Sequence, residues 1–143
     1  MQEPSSWCWR ILVVDEFEPW RSFLCCILQK QQRLHVVGQA ADGLEALQKA
    51  TELKPDLVLL DIGLPKLNGL IAAKRIKEVV PGAKIVLLSQ DSDSDVIRAA
   101  LSDGACGYIL KLNAGVELLP AMEAILRGEK FVSSAIQGLQ PDD

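Results

Sequence analysis

The feature that most constrains this chain is the alternation of two kinds of apolar segment along its length. Ile11–Val14, Leu57–Leu60 and Ile85–Leu88 are short unbroken aliphatic runs, the pattern of strands buried on both faces. His35–Ala41 is more mixed and suits a strand nearer an edge, with His35 at its start. Cys106–Leu110, preceded by Gly104, makes the fifth strand. Between the runs, apolar residues recur at helical spacing. Trp20, Phe23, Leu24, Ile27 and Leu28 mark a first helix, and Leu44, Leu47 and Ala50 a second. Leu70, Ala73, Ile76 and Val80 mark a third, with Asn68 as its N-cap and Pro81-Gly82 as its stop. Val96–Leu101 gives a fourth, and Leu119, Met122 and Leu126 a fifth that Asn113 would cap.

Strict strand–helix alternation implies parallel strands with helical crossovers, and right-handed crossovers leave few arrangements. The expected fold is α/β: a doubly wound, five-stranded parallel sheet of order 2-1-3-4-5 with helices on both faces. The 143 residues suit one domain, placed at 10–127 between an N-terminal extension (1–9) and a Gly/Ser/Gln-rich tail (128–143). A chain of this size buries roughly two thirds of its unfolded surface and needs no disulfide or structural metal.

Composition removes several function classes. A formal net charge of −4 argues against direct nucleic-acid binding, which needs a basic surface. No apolar run approaches the roughly 20 residues of a membrane span, and residues 1–10 lack a secretion signal, so a cytoplasmic protein is expected. Four cysteines without a C-x-x-C pair read as small buried hydrophobes rather than a zinc or redox site. The lone His35 builds neither a triad nor a two-histidine metal site.

In an open parallel sheet, ligands bind beyond the carboxyl ends of the strands, where the strand order reverses. Here the first strand ends in Asp15-Glu16, the third in Asp61, the fourth in Ser89 and the fifth in Lys111. Singly, each has a plain explanation as a solvated loop, a turn cap or a surface charge. Jointly, three carboxylates, a hydroxyl and an ammonium converge on one rim. Clustered carboxylates repel unless a cation relieves them, and hard oxygen ligands select Mg²⁺ or Mn²⁺. Lys111 would add a second positive charge and Ser89 a donor to a phosphate oxygen. With no competing histidine or cysteine nucleophile, Asp61 is the candidate for covalent phosphoryl chemistry. Neither G-x-x-x-x-G-K-[ST] nor G-x-G-x-x-G occurs, which weakens a nucleotide or flavin reading.

These residues resemble the CheY-like receiver domains of two-component response regulators, a flavodoxin-like fold. The matching motifs are I-L-V-V-D-E at Ile11–Glu16, L-L-D-I-G-L-P-x-x-N-G at Leu59–Gly69, V-L-L-S at Val86–Ser89 and G-A-x-G-Y-x-L-K at Gly104–Lys111. The resemblance implies that Asp61 accepts a phosphoryl group from a histidine kinase or phosphotransfer protein. It implies that Asp15, Glu16, Asp61 and the Gly63 backbone carbonyl hold Mg²⁺. Ser89 would be the switch hydroxyl, Tyr108 the aromatic that follows it, and Lys111 the phosphate-binding lysine. Metal-dependent self-phosphorylation and slow autodephosphorylation are expected rather than conventional turnover. The switched surface would be the fourth helix, fifth strand and fifth helix, offered to a partner or a second copy.

Two positions depart from the family's commonest pattern. Glu16 stands where Asp is commoner, and Leu112 follows Lys111 where many receivers have proline. The NarL/FixJ/LuxR-type subgroup often lacks that proline, and G-E-K-F-V-S-S at Gly128–Ser134 resembles its linker to a DNA-binding output domain. The residues that remain are too few for such a domain, which needs roughly 60 more. The leading reading is therefore the receiver of a LuxR/NarL-type transcriptional regulator. Its alternatives are a stand-alone or degenerate receiver used only for protein interaction, and a small flavodoxin-like ligand binder.

Overall fold

The computed structural model describes residues 8–90 and 94–133, with the side chain of Ser94 left out. The strands are β1 (Trp9–Val14), β2 (Leu34–Ala40), β3 (Leu57–Asp61), β4 (Lys84–Ser89), β5 (Gly107–Leu110) and β6 (Phe131–Val132). The helices are α1 (Glu18–Leu28), α2 (Gly43–Leu53), α3 (Gly69–Val79), α4 (Ser94–Ser102) and α5 (Ala114–Leu126). All strand pairs are parallel, in the order β2-β1-β3-β4-β5-β6.

The aliphatic runs are buried on both faces because each face carries its own helical layer. Leu12, Val14, Val58, Leu60, Ile85 and Leu87 pack with Ala46, Ala50, Ala72, Ile76, Ile97 and Leu101 of α2, α3 and α4. The alternate residues Ile11, Val13, Leu57, Leu59, Val86 and Leu88 pack with Leu24, Leu28, Leu118, Met122 and Ile125 of α1 and α5. Period-two side chains thus fill two separate cores. β2 is an edge strand, and His35, its second residue, is exposed. Among the described residues, no helix is long and apolar enough to cross a membrane.

Three expectations change. The sheet has six strands rather than five. Phe131 N–H donates to the Cys106 carbonyl at 3.1 Å and Ser133 N–H to the Tyr108 carbonyl at 3.0 Å. These bonds occupy the edge of β5 that would otherwise face solvent, and Val132 is buried in the core. The rest of the expected tail, from residue 134, lies outside the described residues, as do residues 1–7 of the extension. Asn113 stands at the N-cap of α5 but has helical backbone angles and makes no capping bond. A 3-10 turn at Lys111–Asn113 leads directly into the helix instead. Among the described residues no disulfide forms; of the four cysteines Cys25 is buried and Cys8 and Cys106 are half-buried, but Cys26 is exposed. Neighbouring helical residues project about 100° apart, so one of the Cys25-Cys26 pair must face outward.

Candidate phosphoryl-acceptor site

Strand register places the polar residues beside one another. Val14 pairs with Leu60, so Asp15 follows next to Asp61. Asp61 pairs with Leu88, just before Ser89, and Ser89 pairs with Leu110, just before Lys111. The carboxyl ends therefore climb by about one residue per strand and deliver their side chains to one rim. Asp15, Glu16, Asp61, Gly63, Ser89 and Lys111 all line a cleft of about 610 Å³ there.

Local structure fixes each side chain. Asp15 is buried; its amide donates to the Ala40 carbonyl at 3.0 Å, and its Oδ1 accepts from the Phe17 amide at 2.9 Å. Gly69 opens α3 directly above the end of β3. A Cβ there would lie 2.3 Å from the Asp61 carbonyl oxygen, so only glycine permits this approach. The Gly69 amide donates to the Ile62 carbonyl at 2.8 Å, and Asn68 caps the helix by accepting from the Ile71 amide at 3.0 Å. The N-G of the sequence motif is thus a cap followed by a contact point.

The cationic centre is Lys111. Its Nζ lies 2.7 Å from Asp15 Oδ2 and 3.4 Å from Asp61 Oδ2, with all three side chains at most 15% exposed. Burial raises the pKa of the Asp61 carboxyl above its ordinary value; Lys111 pulls it down, Asp15 pushes it up, and the Gly63 amide, 3.3 Å from Oδ1, pulls it down. Asp15 Oδ2 is buried and, although ion-paired, has no donor aligned on it as a hydrogen bond.

Glu16 lines the same cleft as Asp15 and Asp61 but is exposed, and among the described residues no three acidic, histidine or cysteine side chains stand close enough to form a metal-holding group. Lys111 sits between the two aspartates, where its ammonium offsets the charge of a partly dry carboxylate pair. Tyr108 is also absent from the cleft wall. It is fully buried within the core beneath α4, paired in register with Leu87 and Val132.

One contributor, Arg21, escaped the sequence. Arg21, on the first turn of α1, donates from Nη1 to the Asp15 carbonyl at 2.7 Å and the Glu16 carbonyl at 3.4 Å, and from Nε to Gln39 at 3.1 Å. It braces the acidic loop. Trp20 carries its ring 5.5 Å from Lys111 Nζ and 5.0 Å from the Phe23 ring. An arginine on an amphipathic helix gives no signal of such a brace, since only the packing of α1 reveals it.

Known proteins resemble this chain in sequence and fold. The family model of the response regulator receiver domain matches residues 11–123. The transcriptional regulatory protein LiaR of Bacillus subtilis (strain 168) is 33% identical over 129 residues, covering 90% of this chain and 61% of LiaR. The oxygen regulatory protein NreC of Staphylococcus epidermidis is 37% identical over 124 residues, covering 86% of this chain and 57% of NreC. The chain thus spans about three fifths of the length of these relatives. A LuxR-family response regulator from Aurantimonas sp. SI85-9A1 superposes with a TM-score of 0.87 at 31% identity, over 92% of this chain and 94% of that one. The isolated receiver of Salmonella enterica RcsB shares the fold, with a TM-score of 0.86 at 22% identity over 92% and 98% of the two chains. Register, rim chemistry and these matches converge, and the chain belongs to the response regulator receiver-domain family.

Proposed function

We propose that this chain takes a phosphoryl group on Asp61 in a Mg²⁺-dependent reaction and thereby switches a protein-interaction surface. The observation that carries the reading is Lys111 Nζ lying between Asp15 Oδ2 and Asp61 Oδ2 on the wall of one open cleft. The residues suit a divalent cation. Asp15, Glu16 and Asp61 carry three negative charges and Lys111 one positive charge, leaving two to neutralise. Asp15 Oδ2 has no aligned hydrogen-bond donor, and Mg²⁺ is commonly held by one or two carboxylates with waters. Asp15, Asp61 and the Gly63 carbonyl would hold it, with Glu16 reaching in from the rim. Bound there, the ion would neutralise charge between the carboxylates and an incoming phosphoryl group.

The chain's own residues do the rest. An oxygen of the Asp61 carboxylate attacks phosphorus, and the P–N bond of a kinase phosphohistidine, or the P–O bond of an acyl phosphate, breaks as the leaving group departs. Lys111 transfers its ammonium from the carboxylates to a phosphoryl oxygen, and the Ser89 hydroxyl donates to another. Gly63 N–H steadies Asp61 Oδ1 during the attack. Tyr108, buried beside β4, would follow Ser89 and alter the surface near α4 and α5.

The phosphodonor would be a histidine kinase or phosphotransfer protein. Within a longer protein, the chain would be the receiver of a LuxR/NarL-type transcriptional regulator, in line with the names of its relatives. A homodimer across the α4–β5–α5 face would meet β6 at the edge of β5.

The test is intact mass after incubation with Mg²⁺ and acetyl phosphate. A gain of one phosphoryl group, about 80 Da, is expected in the wild type and not in Asp61→Asn. Equal gain in both would relocate the acceptor. No gain in either, together with failure to bind beryllofluoride, would leave an interaction module without phosphoryl chemistry.

A further inference from the structure

Beyond the rim, one hydrogen-bond chain runs from Ser133 to the residue before Lys111. Ser133 is fully buried. Its Oγ lies 2.8 Å from the Leu110 amide and 2.6 Å from Glu117 Oε1. The direction of this chain is fixed by chemistry. An ionised carboxylate only accepts and an amide only donates, so the hydroxyl gives its single proton to Glu117 and turns a lone pair to Leu110. Such linked bonds strengthen one another.

The position of the Leu110 amide matters because Leu110 is the last residue of β5 and Lys111 the next. Along β5 the opposite strand edge is held by β4, and here Ser133 supplies the acceptor that secures the strand end before the chain turns. Ser133 N–H also donates to the Tyr108 carbonyl at 3.0 Å, so one residue is bonded to both ends of the segment between the buried aromatic and the lysine. Glu117 lies on α5, which begins just after the 3-10 turn containing Lys111. The backbone before Lys111 and a side chain of the helix after it are therefore tied to one buried serine.

We propose that Ser133, backed by Glu117, is a positioning residue for Lys111, and that β6 is thereby coupled to the acceptor site. The proposal rests on the acceptor role of Asp61 given above. Without Ser133 Oγ, the Leu110 amide is a buried donor with no acceptor, and the strand end must shift to reach one. Misplacement of a positioning backbone by about 1 Å is enough to slow a transfer reaction severalfold or more. Coupling between two sites is reciprocal, so engagement of a phosphoryl group by Lys111 is felt at β6.

The experiment compares the 143-residue wild-type chain with Ser133→Ala, Glu117→Gln and Glu117→Ala. It reads the initial rate of Mg²⁺-dependent phosphoryl uptake from acetyl phosphate and the exchange of the Leu110 amide by NMR. Ser133→Ala is expected to slow uptake roughly fivefold and to accelerate Leu110 exchange at least about tenfold. Glu117→Gln keeps an acceptor for the hydroxyl and should behave as wild type, with Glu117→Ala between the two. Beryllofluoride with Mg²⁺ should change exchange at Val132 and Ser133 in the wild type and not in Asp61→Asn. An uptake rate in Ser133→Ala equal to wild type overturns the positioning role. If that variant does not fold, equal rates in Glu117→Gln and Glu117→Ala overturn it. Unchanged exchange at Val132 and Ser133 overturns the coupling. A wild type that takes up no phosphoryl group overturns the acceptor reading and this role with it.

Discussion

At the scale of single residues, the site is governed by competition for the two aspartates. Lys111 occupies the place between Asp15 and Asp61 that a divalent cation would also seek. Removing the ammonium should therefore act in opposite directions on two measurements. In chelator, Lys111→Ala leaves a buried carboxylate pair without its cation and should lower stability by about 1–3 kcal/mol, read by urea denaturation. In the same variant Mg²⁺ should bind severalfold more tightly, read by titrating the fluorescence of Trp20, whose ring lies near the lysine. Unchanged Mg²⁺ affinity would show that the lysine and the metal do not compete. Asp15, Asp61, Ser89 and Lys111 were legible in the sequence because each follows a short apolar segment that reads as a strand within the strand–helix alternation. The inward place of Lys111, the outward place of Glu16 and the brace from Arg21 were not legible. They depend on side-chain reach across neighbouring strands.

At the scale of elements, helix starts decide how the rim loops are held. α2 opens with a reciprocal cap: Asp42 Oδ1 accepts from the Glu45 amide and Glu45 Oε1 from the Ala41 amide, both at 2.8 Å. The D-x-x-E spacing is a readable capping signal. The Glu45 amide, more than the neighbouring Lys66, holds the Asp42 carboxyl below its ordinary pKa. A lowered value means that the cap's ionic contribution is present above the unfolded-state pKa and is lost as pH falls through the folded one. Asp42→Asn keeps a capping oxygen but does not titrate there. Its stability should track the wild type at neutral pH and fall less steeply below about pH 4, checked by denaturation midpoints across that range. Identical slopes would mean the cap carries no ionic component. Asn68 was readable as a cap in the same way, whereas Asn113 was not rejected by any local signal. Only the turn leading from β5 into α5 removes its role.

At the scale of the whole molecule, the cleft at the strand ends exists only when the central strands are paired. A ligand that binds the folded chain and not the unfolded one adds stability by mass action, about 2.7 kcal/mol at a hundredfold excess over its dissociation constant. Mg²⁺ should therefore raise the thermal midpoint, by roughly 2–4 °C for each kcal/mol in a chain of this size, and Asp15→Asn should abolish most of the rise. A rise of equal size in Asp15→Asn would place the ion elsewhere. The sequence by itself determined the alternating elements, the parallel doubly wound sheet and the residues at the strand ends, because hydrophobic period and strand-end position are local properties of a chain. Tertiary structure alone decided that Phe131–Val132 closes the edge of β5, that Tyr108 is buried away from the cleft, and that Lys111 stands between two aspartates. Each of these is set by register and by contacts between residues distant in sequence, which no local pattern encodes.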